Sequence, residues 1–179
     1  MKETIINPVI KDEVTFTQTA AETNGRITSL LVKLMPGGGT PLHYHKNFSE
    51  TFNVVEGVLT LTLKDKKVTL FAGEKYTVER NVVHRFSNEL DQPVVFTTVV
   101  LPGSTGFENA LRILYGLAAD GATDSKGIPG NPLILAAISQ ISDMHPAGIA
   151  VIFSPLFGLF SLLARITKTQ EKLIRKYCA

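Results

Sequence analysis

The sequence predicts a mainly β domain, either a sandwich or a barrel, followed by an α-helical extension. Short runs rich in Val, Thr, Leu and Phe recur between residues 14 and 102, and several alternate with a period of two. Turn-forming residues separate these runs at regular short intervals, which is typical of sandwiches and barrels. After residue 103 the composition changes and the apolar spacing favours helices. We therefore expect a β domain, either a sandwich or a barrel, at residues 1–104 and an α-helical extension at residues 105–179.

The strand prediction rests on three alternating apolar runs, Ile27 to Leu34, Val58 to Leu63 and Val94 to Val100. Turn signals such as Pro36-Gly37-Gly38-Gly39 and Asp91-Gln92-Pro93 bound them. Alternation is what a strand with one buried face requires. Because no helical segment intervenes between the strands, we expect an antiparallel arrangement.

The sequence of the extension predicts several helices. The segments are Phe107 to Ala119, Leu133 to Ser142 capped by Asn131 with Pro132 at its first position, a helix beginning near Pro146, and a last helix from Ser154-Pro155 to about Lys176. These segments leave the role of the extension open. Its helices could pack on the β domain or on a second subunit, which would give a homodimer, or they could form a lid over an apolar ligand site.

A membrane role is a further alternative for residues 147–176. The run from Ala147 to Ala164 carries no charge and is long enough to cross a bilayer. The pair Ser154-Pro155 divides this run, because it is typical of a helix start. Basic residues follow the run, and such residues stabilise the C-terminal end of a helix or contact anionic lipid.

Composition excludes several classes of protein. With 44% hydrophobic and 19% charged residues, the chain is expected to fold. A net charge of +2 and the lack of a helix-turn-helix pattern argue against nucleic-acid binding. One cysteine, Cys178, excludes an internal disulfide. No long apolar segment opens the sequence, so we expect no signal peptide and a cytoplasmic protein.

Three of the four histidines fall in one strand-rich region. His43 and His45 are two residues apart, so on a strand both point to the same face. Glu50 and His84 lie on neighbouring predicted strands. Three imidazoles and one carboxylate suit Fe, Mn, Ni, Co, Cu or Zn. His145 stands at a predicted helix boundary, where we expect a capping or loop role.

Two motifs carry a family resemblance. The pattern Gly37-X5-His43-X-His45-X4-Glu50-X6-Gly57 resembles the first cupin motif at every position, and Gly73 to Asn88, with His84-X3-Asn88 at its end, resembles the second. Residues 14–102 thus resemble the small single-domain, conserved-barrel cupins of the cupin 2 type. The second motif departs from the pattern at Glu79 and Asn81, where proline and glycine are expected. Asparagine tolerates the left-handed conformation, so we expect Asn81 to keep the turn.

The resemblance implies a double-stranded β-helix, or jelly-roll, barrel that holds one divalent transition metal ion (Fe, Mn, Ni or Zn). It makes His43, His45, Glu50 and His84 the ligands. By the same alternation, Phe52, Val54 and Phe86 face inward and are expected to form an apolar pocket wall.

We expect a metal-dependent oxygenase that acts on a small apolar or aromatic substrate. Resemblance to dioxygenases with three histidines and one glutamate implies that Glu50 is both ligand and proton acceptor. Two alternatives stay open. One is a non-catalytic metal- or ligand-binding module that its helical tail tethers to a partner or membrane, and the other is an isomerase or epimerase.

Overall fold

The computed structural model describes residues 2–147 and 154–178. Its strands are β1 (Thr4–Asn7), β2 (Asp12–Gln18), β3 (Thr28–Leu34), β4 (His43–Tyr44), β5 (Ser49–Glu56), β6 (Val58–Leu63), β7 (Lys66–Phe71), β8 (Lys75–Val78), β9 (His84–Ser87), β10 (Val94–Leu101) and β11 (His145–Pro146). Its helices are α1 (Thr105–Ala119), α2 (Pro132–Ser142), α3 (Ser154–Ile166) and α4 (Thr169–Tyr177).

The strands form two antiparallel sheets. One has the order β1-β2-β3-β10-β5-β8, and the other has the order β11-β4-β9-β6-β7. This arrangement confirms the predicted mainly β, antiparallel jelly-roll followed by helices. Strand β11 belongs to the C-terminal extension, yet it pairs with β4 at the edge of the smaller sheet. The extension is therefore joined to the barrel by backbone hydrogen bonds as well as by side chains.

Alternation along the strands builds the barrel core. On β10, Val94, Phe96, Thr98 and Val100 are buried, and the residues that alternate with them are partly exposed. The rings of Phe52, Phe86 and Phe96 pack against one another, with centroid separations of 5.3 to 6.1 Å. These aromatic contacts fill the barrel interior beside the sheet that carries β9.

Gly57 makes the tight connection between β5 and β6. Its φ is +81°, which side chains other than glycine rarely adopt, and a Cβ there would lie 2.8 Å from the Pro93 carbonyl oxygen. Asn81 has a φ of +63°, so asparagine does keep the left-handed turn before His84. Asn88 donates to the Leu34 and Gln92 carbonyls and holds neighbouring loops together.

Helix α1 is tied to the barrel by a buried carboxylate. Glu108 Oε1 accepts hydrogen bonds from the Ala20 amide at 2.6 Å and from Thr28 Oγ1 at 2.5 Å. Ser104 caps the helix by accepting from the Phe107 amide. The helices share a second apolar core that includes Ile113, Leu117 and Ile138. The extension therefore packs on the barrel as an additional layer.

Two helix predictions need correction. The last helix is divided, because Lys168 adopts a left-handed φ of +52° between α3 and α4. Hydroxyl groups of Thr167 and Thr169 bond locally there, and such bonds compete with helical ones. Pro146 lies in β11, and not in a helix. By contrast, Asn131 caps α2 with Pro132 at its start, as predicted.

The rest of the helix predicted near Pro146, residues 148–153, lies outside the described residues. The same is true of part of the apolar run 147–164 and of the proposed membrane segment 147–176. Within the two described ranges, each helix is either too short or too polar to cross a membrane.

Candidate metal centre

Four side chains from three strands and one loop meet inside the barrel. His43 on β4 pairs across the sheet with His84 on β9, and His45 follows directly after β4. Glu50 reaches them from β5 of the opposite sheet. All four residues are buried, and one potential ligand atom from each lies within 4.8 Å of the others. The residues singled out by their spacing in the sequence therefore form one compact cluster.

Backbone carbonyls orient the three imidazoles. Nδ1 of His43 lies 2.8 Å from the Pro41 oxygen, and Nδ1 of His84 lies 2.9 Å from the Val82 oxygen. Nδ1 of His45 lies 3.0 Å from the Asp143 oxygen. A carbonyl only accepts, so each Nδ1 carries a proton, and Nε2 is the ring atom that faces the cluster. This pattern of outer hydrogen bonds is the usual one around metal-binding histidines.

The centre contains a buried nitrogen that lacks a hydrogen-bond partner. Glu50 Oε2 lies 2.8 Å from His84 Nε2 and 3.2 Å from His45 Nε2. The second contact lacks hydrogen-bond geometry, so His45 Nε2 has no partner within the described part of the chain. Leaving such an atom buried is costly, and a coordinated cation would compensate for it. The donor set thus fits a divalent transition metal ion.

The electrostatics of the cluster favour a neutral His43 and an ionised Glu50. Burial, helped by the neighbouring His84 and His45, lowers the pKa of His43 to about 3. Burial opposes ionisation of Glu50, but its close contacts with His45 and His84 together hold its pKa well below 4.5. Burial also disfavours the charged form of His84, yet its hydrogen bond to Glu50 raises its pKa. Metal binding requires a neutral imidazole and an ionised carboxylate of this kind.

Asp143 supports the centre from the C-terminal extension. Besides its carbonyl contact with His45, its Oδ2 accepts from the amides of Lys46 at 2.8 Å and Asn47 at 2.7 Å. His145 lies 3.0 Å from Asp143 Oδ1 and stacks on Tyr44, outside the metal cluster. Asp143 was not among the predicted site residues, because almost a hundred residues separate it from the strands it contacts. No local sequence pattern records that contact.

A cavity of about 460 Å³ adjoins the metal centre. His43, Glu50 and Phe86 line it, and helices α1, α2 and α3 supply much of the remaining wall, including Phe107, Leu111, Leu135, Ile138 and Phe160. The extension thus covers an apolar cavity beside the cluster. Among the described residues that line the cavity there is no lysine or arginine.

Two of the expected pocket residues lie elsewhere. Phe52 and Val54 face inward, as their parity requires, but they are fully buried in the barrel core and do not line this cavity. Both residues follow Glu50 along β5, and Phe52 is itself one of the packed phenylalanine rings. Phe86 contributes to both the ring cluster and the cavity wall.

Comparison with known proteins agrees with this architecture. Residues 30–100 match the family model described as Cupin domain. A sugar phosphate isomerase of the cupin superfamily from Silicibacter pomeroyi is 22% identical with a TM-score of 0.50, over 56% of this chain and 71% of that chain. An RmlC-like cupin from Shewanella frigidimarina is 18% identical with a TM-score of 0.51, over 60% of this chain and 89% of that chain.

A predicted oxalate decarboxylase from Thermotoga maritima is 18% identical with a TM-score of 0.51, over 57% of this chain and 92% of that chain. At these identities the similarity concerns the fold. A search of curated proteins found no significant match. The family match, the two-sheet barrel and the buried cluster together show that residues 30–100 form a cupin domain.

Proposed function

We propose that the protein is a metal-dependent oxygenase that acts on a small apolar or aromatic molecule bound in the cavity. The observation that carries the proposal is that one apolar cavity of about 460 Å³ includes His43 and Glu50 in its wall. A molecule bound there would contact two of the four candidate ligands directly. Cavities of this size are typical of sites for small organic ligands.

The residues of the centre have separable roles. The Nε2 atoms of His43, His45 and His84 and the carboxylate of Glu50 would hold the ion. When bound, a redox-active divalent ion supplies Lewis acidity toward a phenolic or enolic hydroxyl and the ability to activate dioxygen. The ionised Glu50 carboxylate lines the cavity and would accept a hydrogen bond, and then the proton, from that hydroxyl.

The apolar wall of the cavity limits the access of water. Leu111 and Ile138 from the helices and Phe86 from the barrel all line it. An apolar enclosure limits hydrolysis and strengthens electrostatic interactions at the metal centre. Because no lysine or arginine is found among the described lining residues, the cavity suits an uncharged body better than a phosphorylated sugar. This favours the oxygenase over an isomerase that acts on such sugars.

The test combines metal analysis with oxygen uptake. Protein purified without chelator or nickel resin is analysed for metal by mass spectrometry, beside the double variant His43→Ala/His84→Ala. Lys67→Ala/Glu89→Ala removes an exposed ion pair on the same barrel and serves as the control. We expect about one ion per chain in the wild type and the control, little in the ligand variant, and oxygen uptake with a phenolic or enolic compound.

Metal analysis and oxygen uptake test different parts of the proposal. A folded wild-type protein without metal would contradict the metal centre. A loaded protein that binds such compounds and consumes no oxygen would contradict the oxygenase. Turnover that does not depend on oxygen would instead support an isomerase or epimerase.

A second candidate is a non-catalytic binding module that its extension attaches to a second copy, another partner or a membrane surface. The observation in its favour is an exposed apolar stripe on α3, which consists of Leu159, Leu162, Leu163 and Ile166. These residues recur every three or four positions, so they share one face of the helix. Sedimentation and vesicle co-flotation of the wild type and Leu162→Glu would test it. Unchanged behaviour of the variant would count against this candidate.

A further inference from the structure

Helix α3 lies between the cavity and the surface of the protein. Phe160 on its inner side lines the cavity, and Ala164, four residues later, is buried in the core that the helices share. The exposed apolar stripe described above lies roughly 130° away from these two residues around the helix axis. One face of α3 therefore covers an apolar cavity, while another face of the same helix presents apolar side chains to the outside.

The stripe is a contiguous apolar group on the surface. Leu159, Leu162 and Ile166 are 54%, 55% and 68% exposed, and Leu163 is 37% exposed. Single exposed apolar side chains are common on proteins, but a contiguous group of them marks a surface that contacts another molecule. The stripe is therefore a candidate docking surface, and the residues beside it indicate the partner.

Basic residues lie at the C-terminal end of the stripe. Arg165 precedes Ile166, and Lys168 follows shortly after the end of α3. Both are exposed, and neither forms an ion pair within the two described ranges. Residues 154–178 contain five lysine and arginine residues and one acidic residue, although the net charge of the whole chain is only +2. Positive charge is therefore concentrated in the segment that carries the stripe, and the rest of the chain is net negative.

Charge and the cavity favour a membrane over a second copy of the chain as the partner. A twofold contact uses the same surface on both subunits, so it would bring the two basic segments together, and their like charges would oppose it. An anionic lipid surface attracts the same residues instead. The uncharged apolar ligand that we propose for the cavity also partitions into membranes, and this last argument rests on the proposed function.

We infer that α3 docks on an anionic membrane surface, with the apolar stripe among the upper acyl chains and with Arg165 and Lys168 at the phosphate groups of the lipids. Helices that combine an apolar face with basic residues lie in the plane of the interface and need not cross the bilayer. Docking in this orientation leaves Phe160 on the side of α3 that faces the cavity. The cavity then lies one helix diameter, about 10 Å, from the lipid.

The first test compares two variants that place the same charge at similarly exposed leucines. Leu162→Glu changes the stripe, and Leu90→Glu changes a residue of the barrel that is 52% exposed, against 55% for Leu162. Co-flotation of the full chain is measured with vesicles of phosphatidylcholine, alone or mixed with phosphatidylglycerol, and circular dichroism checks that each variant is folded. We expect the wild type and Leu90→Glu to bind the vesicles that contain phosphatidylglycerol, and Leu162→Glu to bind them at least about tenfold more weakly.

A second pair of variants tests the charges. Arg165→Gln/Lys168→Gln should bind the anionic vesicles about tenfold more weakly, whereas Lys33→Gln/Lys64→Gln, at exposed positions of the barrel, should bind as the wild type does. No binding by the wild type, binding that does not require phosphatidylglycerol, or equal binding by the two leucine variants would overturn the inference. So would a wild-type dimer in sedimentation that only Leu162→Glu dissociates, because the stripe would then contact a second copy. The assay uses neither substrate nor oxygen, so its failure does not contradict the oxygenase.

Discussion

Replacing Asp143 with glycine is expected to weaken metal binding, although Asp143 supplies no ligand. Its carboxylate anchors the amides of Lys46 and Asn47, directly after His45, while its carbonyl orients the His45 ring. Glycine suits the substitution, because residue 143 has a φ of +54°, where a residue without Cβ has no strain. The variant thus removes the side chain and leaves the backbone conformation allowed.

The magnitude follows from the hydrogen bonds that are lost. The two amide bonds lie at exposed positions, so water replaces them, and we expect a loss of about 1 kcal/mol for each in the free energy of unfolding. Partners that orient a metal ligand typically contribute about 10-fold to 100-fold to metal affinity. We therefore expect metal affinity in Asp143→Gly to fall by at least about tenfold.

Asp124→Gly provides the matched control. Asp124 also lies in the extension, and its carboxylate also accepts from two backbone amides, at 2.8 and 2.9 Å, but it contacts no histidine of the cluster. Zinc affinity is measured for both variants and the wild type by competition with a chromophoric chelator. We expect a loss in Asp143→Gly alone. Equal affinities in the two variants would refute the idea that the extension positions His45.

Three other perturbations test the energetics of the fold. Burial raises the pKa of Asp12 from 3.8 to about 7, so the folded state binds a proton more tightly than the unfolded state does. The free energy of unfolding of the wild type, compared with that of Asp12→Asn, should therefore fall by about 4 kcal/mol as the pH rises from 4 to 8. A difference between the urea midpoints of the wild type and Asp12→Asn that stays the same at every pH would contradict this. Glu108→Ala should lower the free energy of unfolding by at least about 3 kcal/mol, since it leaves the Ala20 amide and the Thr28 hydroxyl without their buried acceptor. A decrease below about 1 kcal/mol in urea denaturation would be inconsistent with that role. Gly57→Ala should lower the stability of the fold more than Gly73→Ala, although both glycines have a positive φ. A Cβ at position 57 would lie 2.8 Å from the Pro93 oxygen, whereas a Cβ at position 73 would have no neighbour within 4 Å. Equal melting temperatures for these two variants would argue against the close contact.

The sequence by itself determined the main strands of the barrel and indicated the four residues of the candidate metal cluster. Strand alternation is a local property, so β3, β6 and β10 could be located within one or two residues. The spacing of His43 and His45 by two residues predicts that both face one side of a strand, and the resemblance to the cupin motifs adds Glu50 and His84. Asn131 and Pro132 marked the start of α2 for an equally local reason, because a cap bonds to its own helix.

Only the tertiary structure decided what surrounds the cluster. Asp143 contacts the segment after His45 across almost a hundred residues, and Tyr115 contacts Asp12 across a similar separation. Apolar periodicity tells which face of a helix is buried, but it does not tell which strand that face covers. The same limit explains why Phe52 and Val54 were expected in the pocket wall and lie in the core instead. The cavity exists because the helical extension packs over the open side of the barrel, and such packing depends on the whole shape of both surfaces.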